Sequence, residues 1–404
     1  MRRRFTINEG NYLTEPLTFN ILSAGTIVWT ASDSSEARTI EYKLNDGEWT
    51  SITSNTGSSA PTINVVEGDK VQFRGNNTQY GSGTSNLDLS YNSFSSSTAL
   101  FEAEGNIMSL IYGDDFKNNL TISSTRAFYG LFSECVNLVS AENLVLPATT
   151  LTDSCYYNMF NGCTSLTIAP ELPATTLASA CYCDMFGNCA SLTTAPKELP
   201  ATTLVDNCYA YMFENCTSLT TAPSILPATI LEYYCCSNMF RGCVSLKTAP
   251  ELPATKLANY CYNNMFQGCT SLTTVPVLPA TTLANNCYYQ MFKGCSSLTI
   301  APALPATTLA NSCYSSMLKG CASLTTAPEL PANTLANYCY ASMFRGCTNL
   351  NYIKCLATDI SVSDCTSNWV RGVASTGTFV KAPSMTSWGT GVNGIPSGWT
   401  AQNA

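Results

Sequence analysis

The chain of 404 residues contains no histidine. That single absence removes the Ser/His/Asp and Cys/His nucleophile arrangements and the commonest metal ligand together. Charge is scarce as well: Asp, Glu, Lys and Arg make up 11% of the residues, with a net charge of −8. Such weak, dispersed acidity lacks the clustered Lys and Arg that nucleic acid requires. No apolar run approaches the roughly 18–20 residues of a membrane span, so no membrane insertion is expected. Met1-Arg2-Arg3-Arg4-Phe5 has the basic start of a secretory signal, but Thr6-Ile7-Asn8-Glu9-Gly10-Asn11 stands where its apolar segment belongs. No signal peptide is expected.

What fills the chain is a repeat. Leu252–Cys269, LPATKLANYCYNNMFQGC, followed by TSLTTVP, recurs with small edits from 127 to 373. Aligned on its Met-Phe pair it gives Leu131, Met159, Met185, Met212, Met239, Met265, Met291, Met317, Met343 and, by extrapolation, Trp369, at intervals of 26 to 28 residues. A fixed period of that size marks a solenoid, whose coils bury their apolar faces only by stacking. About ten coils of 26–27 residues are expected. In each, the apolar residues at offsets 0, 4, 5 and 8 from the first cysteine suit one stripe of a short helix, ended by a glycine such as Gly268. The stretch Ser271–Pro276 is β-branched, alternating and stopped by proline, which predicts a short strand.

The 21 cysteines fall almost entirely into two columns. Cys155, Cys181, Cys208, Cys235, Cys261, Cys287, Cys313, Cys339 and Cys365 precede each Met position by four residues; nine more, from Cys135 to Cys347, follow it by four. Zinc sites need short Cys pairs that meet. The short pairs Cys181/Cys183 and Cys235/Cys236 are isolated, so the expectation is two buried ladders of reduced thiols, with no metal and no cofactor.

Residues 1–104 carry no repeat. Alternating runs at Thr26–Thr30, Thr39–Leu44, Thr62–Val66 and Lys70–Arg74 predict an Ig-like β-sandwich that attaches or oligomerises. Asn45-Asp46-Gly47 predicts a hairpin, and Ser82–Ser97 a loop with Tyr91 and Phe94 tucked in. Residues 105–126, with Ile107, Met108, Leu110 and Ile111, read as junction and N-terminal cap, 127–373 as the solenoid, and 374–404 as a β-rich C-terminal cap.

The core Met-Phe-x-Gly-Cys-x-Ser-Leu-Thr, with its Pro-bounded strand, resembles the leucine-rich repeat of the BspA-like surface antigen family. That resemblance implies a right-handed solenoid with a parallel sheet on one side and a role in adhesion. The ensemble of a β N-domain, Met-Ser-Leu-Ile-Tyr-Gly-Asp-Asp-Phe at 108–116, Leu-Pro-Ala-Thr-Thr-Leu coils and Gly-Ile-Pro-Ser-Gly-Trp at 394–399 is similar to modules of gut-bacterial (Bacteroides-type) genomes and their phages. It implies a structural or receptor-binding protein at a virion or cell surface.

The positions that vary between coils flank the Cys-Tyr pair. Tyr157, Tyr211, Tyr233, Tyr234, Tyr260, Tyr289 and Tyr338, with Asn263 and Asn264, form a candidate face for a host glycan or protein, or simply the solvated side of each helix. A second column ends in Arg241, Gln267, Lys293, Lys319 and Arg345, and its last three charges form a basic stripe offset by Glu251 and Glu329 or free for an anionic partner. No catalytic residues are assigned: a polysaccharide-cleaving solenoid needs paired carboxylates, and Asp153, Asp184 and Asp206 do not share a column. A purely architectural particle component without a receptor is the other alternative.

Overall fold

Among the described residues, alternation of apolar and polar residues builds eleven strands early in the chain: β1 (Leu17–Ile21), β2 (Gly25–Val28), β3 (Thr30–Ala31), β4 (Thr39–Leu44), β5 (Thr50–Thr53), β6 (Thr62–Val65), β7 (Lys70–Arg74), β8 (Gly81–Ser82), β9 (Ser90–Ser93), β10 (Phe101–Asn106) and β11 (Leu138–Val145). The structure is a computed structural model and describes residues 11–32, 35–82, 90–386 and 388–404. The Met1–Gly10 start and residues 83–89 of the Ser82–Ser97 loop lie outside the described residues. The chain divides into two compact units, Met1–Ala201 and Thr202–Ala404.

In the first unit one mixed sheet runs β11-β10-β1-β7-β4-β5, beside a three-stranded sheet β3-β9-β8 and the pair β2-β6. β4 and β5 pair antiparallel across the expected hairpin, where Asn45 takes the left-handed φ of 52° that such a turn asks for. Inward residues of these strands, with Phe94 just after β9, form an aromatic core: Phe19 lies 4.4 Å from Phe101, 4.7 Å from Phe73 and 4.9 Å from Phe94. Each such ring stabilises the unit by about 1.5–3 kcal/mol through burial. Ile107, Met108, Leu110 and Ile111 are buried as well, the last two in the one-turn helix α1 (Ser109–Tyr112). β10 pairs in parallel with β11, so the sheet passes directly onto the first coil.

The coils contain no helix, which corrects the helix expected in each. Each instead carries a train of tight turns. In the coil of Cys261, residues Tyr260, Asn264 and Gly268 have φ of 60°, 55° and 77°, a left-handed residue at every fourth position. An α-helix needs an unbroken right-handed run, so these positions forbid it. Alternate N–H groups turn back within the coil, as Cys261 to Ala258, Asn263 to Tyr260 and Met265 to Tyr262. The N–H groups between them donate to the next coil, as Tyr262 to the Cys287 carbonyl at 3.0 Å and Phe266 to the Met291 carbonyl at 2.9 Å. Two residues in every four therefore face inward, which imitates a helical stripe in sequence while having a period of four.

The strands expected in each coil shrink to single parallel bridges, such as Thr248 with Thr274 and Thr282 with Thr308. Proline explains the shrinkage: Pro276 and Pro279 supply no N–H, so a ladder cannot extend through them. Where the counterpart of Pro276 is lost, as at Lys354 and Val380, full strands return. β12 (Tyr352–Cys355), β13 (Thr378–Lys381) and β14 (Thr400–Asn403) form a parallel three-stranded sheet near the C-terminus.

Candidate binding surface

Within a coil the first-column Cys, the Tyr after it, the Met-Phe pair and the second-column Cys are buried. Like residues stack: in the second unit Phe240, Phe266 and Phe292 lie 5.6 and 5.5 Å apart, with planes within 7°. Tyr262, Tyr288, Tyr314 and Tyr340 stack at 5.7 to 6.1 Å. The second-column cysteine has a specific task. Its thiol donates to the carbonyl of the preceding coil's Phe, as Cys269 to Phe240 and Cys295 to Phe266, both at 3.1 Å. All 21 cysteines are buried and unbridged. Burial pushes the thiols of Cys269 and Cys287 up to about 12, which leaves them without thiolate character near neutrality.

The opposite side of the turn train presents the residues that vary. Most of its asparagines are accounted for by the backbone. Asn207, Asn238, Asn264, Asn286 and Asn368 occupy left-handed positions, which Asn tolerates better than most residues. Two residues before the first-column Cys, side-chain oxygens cap the next coil: Asn259 accepts from the Asn285 N–H at 3.0 Å, and Asn285 from the Asn311 N–H at 3.1 Å. Asp153 and Asp206 do the same for the N–H groups of Ser179 and Tyr233. Asn263 and Asn264 are half-buried, and Asn263 reaches the Ser237 hydroxyl at 3.5 Å.

The tyrosines are not explained in this way. Tyr211, Tyr234, Tyr260 and Tyr338 all hold φ between 56° and 60° or at 53°, in columns where other coils place Asn, Ser, Asp, Gln or Ala. A non-glycine residue held there costs on the order of 1–3 kcal/mol, and a bulky ring lacks the local hydrogen bonds that soften it for Asn. Four of the tyrosines come together in the second unit. The rings of Tyr234 and Tyr260 stack at 4.6 Å and 6°, and Tyr233 stands edge-on to both, at 4.4 and 5.9 Å. Tyr233 is 44% exposed. Tyr211 lies near enough to act on the Tyr234 phenol, whose pKa is pushed up to about 12 by burial first and by Tyr233 second.

The other candidates lie apart from that cluster. Tyr157, in the first unit, stacks on Tyr129 at 5.1 Å. The Tyr289 hydroxyl accepts from Gln290 Nε2 at 2.7 Å, and Gln290 Oε1 in turn accepts from Lys293 Nζ at 3.1 Å. Tyr338 is 46% exposed and hydrogen-bonds to the Asp364 carboxylate, which raises its pKa.

In the basic column Arg241 is paired with Glu214 at 3.0 Å. Among the described residues neither Glu251 nor Glu329 forms an ion pair with the stripe; Glu329 binds Lys354 at 3.1 Å. Arg371, one coil beyond Arg345, completes the column. Its signal was legible in Arg371-Gly372, which repeats Arg345-Gly346 behind a Trp in the Met position. Desolvation, then Lys319 and Arg241, lower the Lys293 pKa. Unit charges one coil apart repel by about 1 kcal/mol in water.

Among the described residues no three Cys, Asp or Glu side chains gather as a metal group. No helix of the described residues is long and apolar enough to cross a membrane. A cleft of about 280 Å³ in the first unit is lined by Trp49, Arg74, Asp114 and Lys117 among others. Its Arg74 is already engaged, by Glu41 at 2.7 Å and Asp114 at 2.8 Å.

The chain matches no protein-family profile and no curated protein. Among solved structures it is similar to a leucine-rich repeat protein from Bacteroides ovatus, with 17% identity and a TM-score of 0.34 over 67% of this chain and 73% of that one.

Proposed function

We propose that this chain is a non-enzymatic binding protein that displays a repetitive turn surface to a host-surface glycan or protein, as an adhesin or a virion-surface component. The observation that carries this reading is the exposed tyrosine platform of Tyr211, Tyr233, Tyr234 and Tyr260. Three of these four residues occupy left-handed positions that most other coils fill with Asn, Ser or Asp. Strain held where the fold does not need it points to a use for the side chain. Stacked, half-exposed phenol rings offer flat apolar faces and hydroxyls to a sugar ring or a loop at low entropic cost.

The N-terminal strands, read as a sandwich, serve attachment or self-association in this scheme. An enzymatic role finds little support, since the carboxylates of Asp153 and Asp206 are occupied in capping neighbouring coils. The second reading, an architectural particle component without a receptor, is favoured by one observation: backbone geometry alone accounts for the asparagine columns. A glycan array together with a cell-binding assay separates the two. Binding on either supports the recognition role, and silence on both, with folded protein, favours the architectural one.

A further inference from the structure

Four cations stand in single file in the second unit: Lys293, Lys319, Arg345 and Arg371, each six residues after the first-column cysteine of its coil. Backbone bonds lock their register. The Gly294 N–H donates to the Lys319 carbonyl at 2.7 Å, Gly320 to Arg345 at 2.9 Å and Gly346 to Arg371 at 2.9 Å. The glycine backbones stack so closely that a Cβ placed on Gly320 would lie 3.7 Å from the Gly294 Cα. None of the four cations enters an ion pair among the described residues. The positions three residues earlier hold Gln290, Ser316, Ser342 and Asn368. They provide hydrogen-bonding groups beside the charges, and one ring adjoins them, that of Tyr289, whose hydroxyl accepts from Gln290.

We propose that this stripe is a binding lane for a linear acidic polysaccharide that carries a carboxylate or sulfate on each sugar and lies along the stack with its anions at successive coils. Folding gains nothing from unpaired like charges held in register, so their complement lies outside the chain. Single file at a fixed interval suits a flexible one-dimensional polyanion better than the double row of phosphates on a duplex. The neighbouring amides and hydroxyls suit sugar hydroxyls, and the single ring of Tyr289 at one coil falls short of the successive rings on which single-stranded bases stack. A chain with net charge −8 also repels any polyanion that the lane does not engage directly. The proposal rests on the cations and is independent of the tyrosine platform.

The test titrates the full chain with polygalacturonate, with dextran sulfate and with neutral dextran over a range of NaCl concentrations. At least one acidic polymer binds and dextran does not. Affinity falls with salt at a log–log slope of about −3 to −4, the release expected when four cations engage. Removing two charges from the lane in K319Q/R345Q weakens binding at low salt by about tenfold or more and reduces the slope by about 2. K247Q/K256Q, which removes the same charge elsewhere in the unit, changes affinity by less than about twofold. The relative strength of the two acidic polymers distinguishes carboxylate from sulfate. The proposal is overturned if neither acidic polymer binds, if both double variants weaken binding equally, or if single-stranded DNA or polyglutamate binds as tightly as the better polysaccharide.

Discussion

Tyr234 and Tyr260 stack with ring centroids 4.6 Å apart and planes 6° from parallel, and both residues are held at positive φ, 53° and 60°. The two facts oppose each other energetically. Left-handed backbone at an aromatic residue is unfavourable by on the order of 1–3 kcal/mol, and stacking returns about 0.5–1.5 kcal/mol. Replacing either ring by Asn relieves the first and forfeits the second. Tyr234→Asn and Tyr260→Asn therefore leave the urea midpoint almost unmoved, within about 0.5 kcal/mol. A loss above about 2 kcal/mol would show that the platform is structural.

The hydroxyl of Tyr288 is buried and has no hydrogen-bond partner among the described residues, although its ring is part of the core stack. A buried hydroxyl without a hydrogen bond is a net penalty, and the first coil already places Phe128 in this column, stacked on Tyr156 at 5.6 Å. Tyr288→Phe is expected to raise stability by about 1 kcal/mol. A clear drop in melting temperature would indicate that the hydroxyl has a partner.

Asn286 holds φ of 55°. Asn286→Gly is expected to be tolerated, because glycine adopts that conformation freely. Asn286→Val places a β-branched side chain in the left-handed region and is expected to cost at least about 1–2 kcal/mol. Equal stability of the two variants would contradict the turn-train description of the coil.

Burial raises the thiol pKa from 9.0 to about 12 at Cys135, Cys181, Cys269, Cys287, Cys347 and Cys355. The folded state therefore favours the protonated thiol. Its contribution is complete below the unfolded value near 9 and is lost as pH rises from there towards 12. Thermal melts should show a steady fall in stability over that window and little change between pH 6 and about 8.5. At pH 8 a thiol reagent should label the native protein slowly and the denatured protein fully. Rapid labelling of many thiols without denaturant would contradict the buried ladders.

The repeat was legible because stacking forces identical residues into register, and Cys, Met, Phe and Leu in fixed columns announce it. The hairpin at Asn45–Gly47 and the strands β4 and β7 were legible for the same local reasons. The helix was misread because a four-residue turn period differs little from 3.6 over a segment of nine residues such as Cys261–Cys269. The informative signal was the Asn, Ser or Gly at every fourth position, which marks left-handed backbone. The coil strands were misread because Ser271–Pro276 has strand chemistry, yet Pro276 and Pro279 deny it partners. At the surface the tyrosines and cations could be picked out in sequence, whereas the asparagines beside them could not be recognised as backbone caps until their partners were visible.

The most direct test of the recognition role compares the full chain with Tyr234→Asn/Tyr260→Asn on one glycan array and one panel of host cells, with circular dichroism confirming that both are folded. The account predicts that the unaltered chain binds and that the double variant loses at least about tenfold in affinity, equivalent to about 1.4 kcal/mol. Equal binding by the two proteins, or no binding by the unaltered chain, would contradict it.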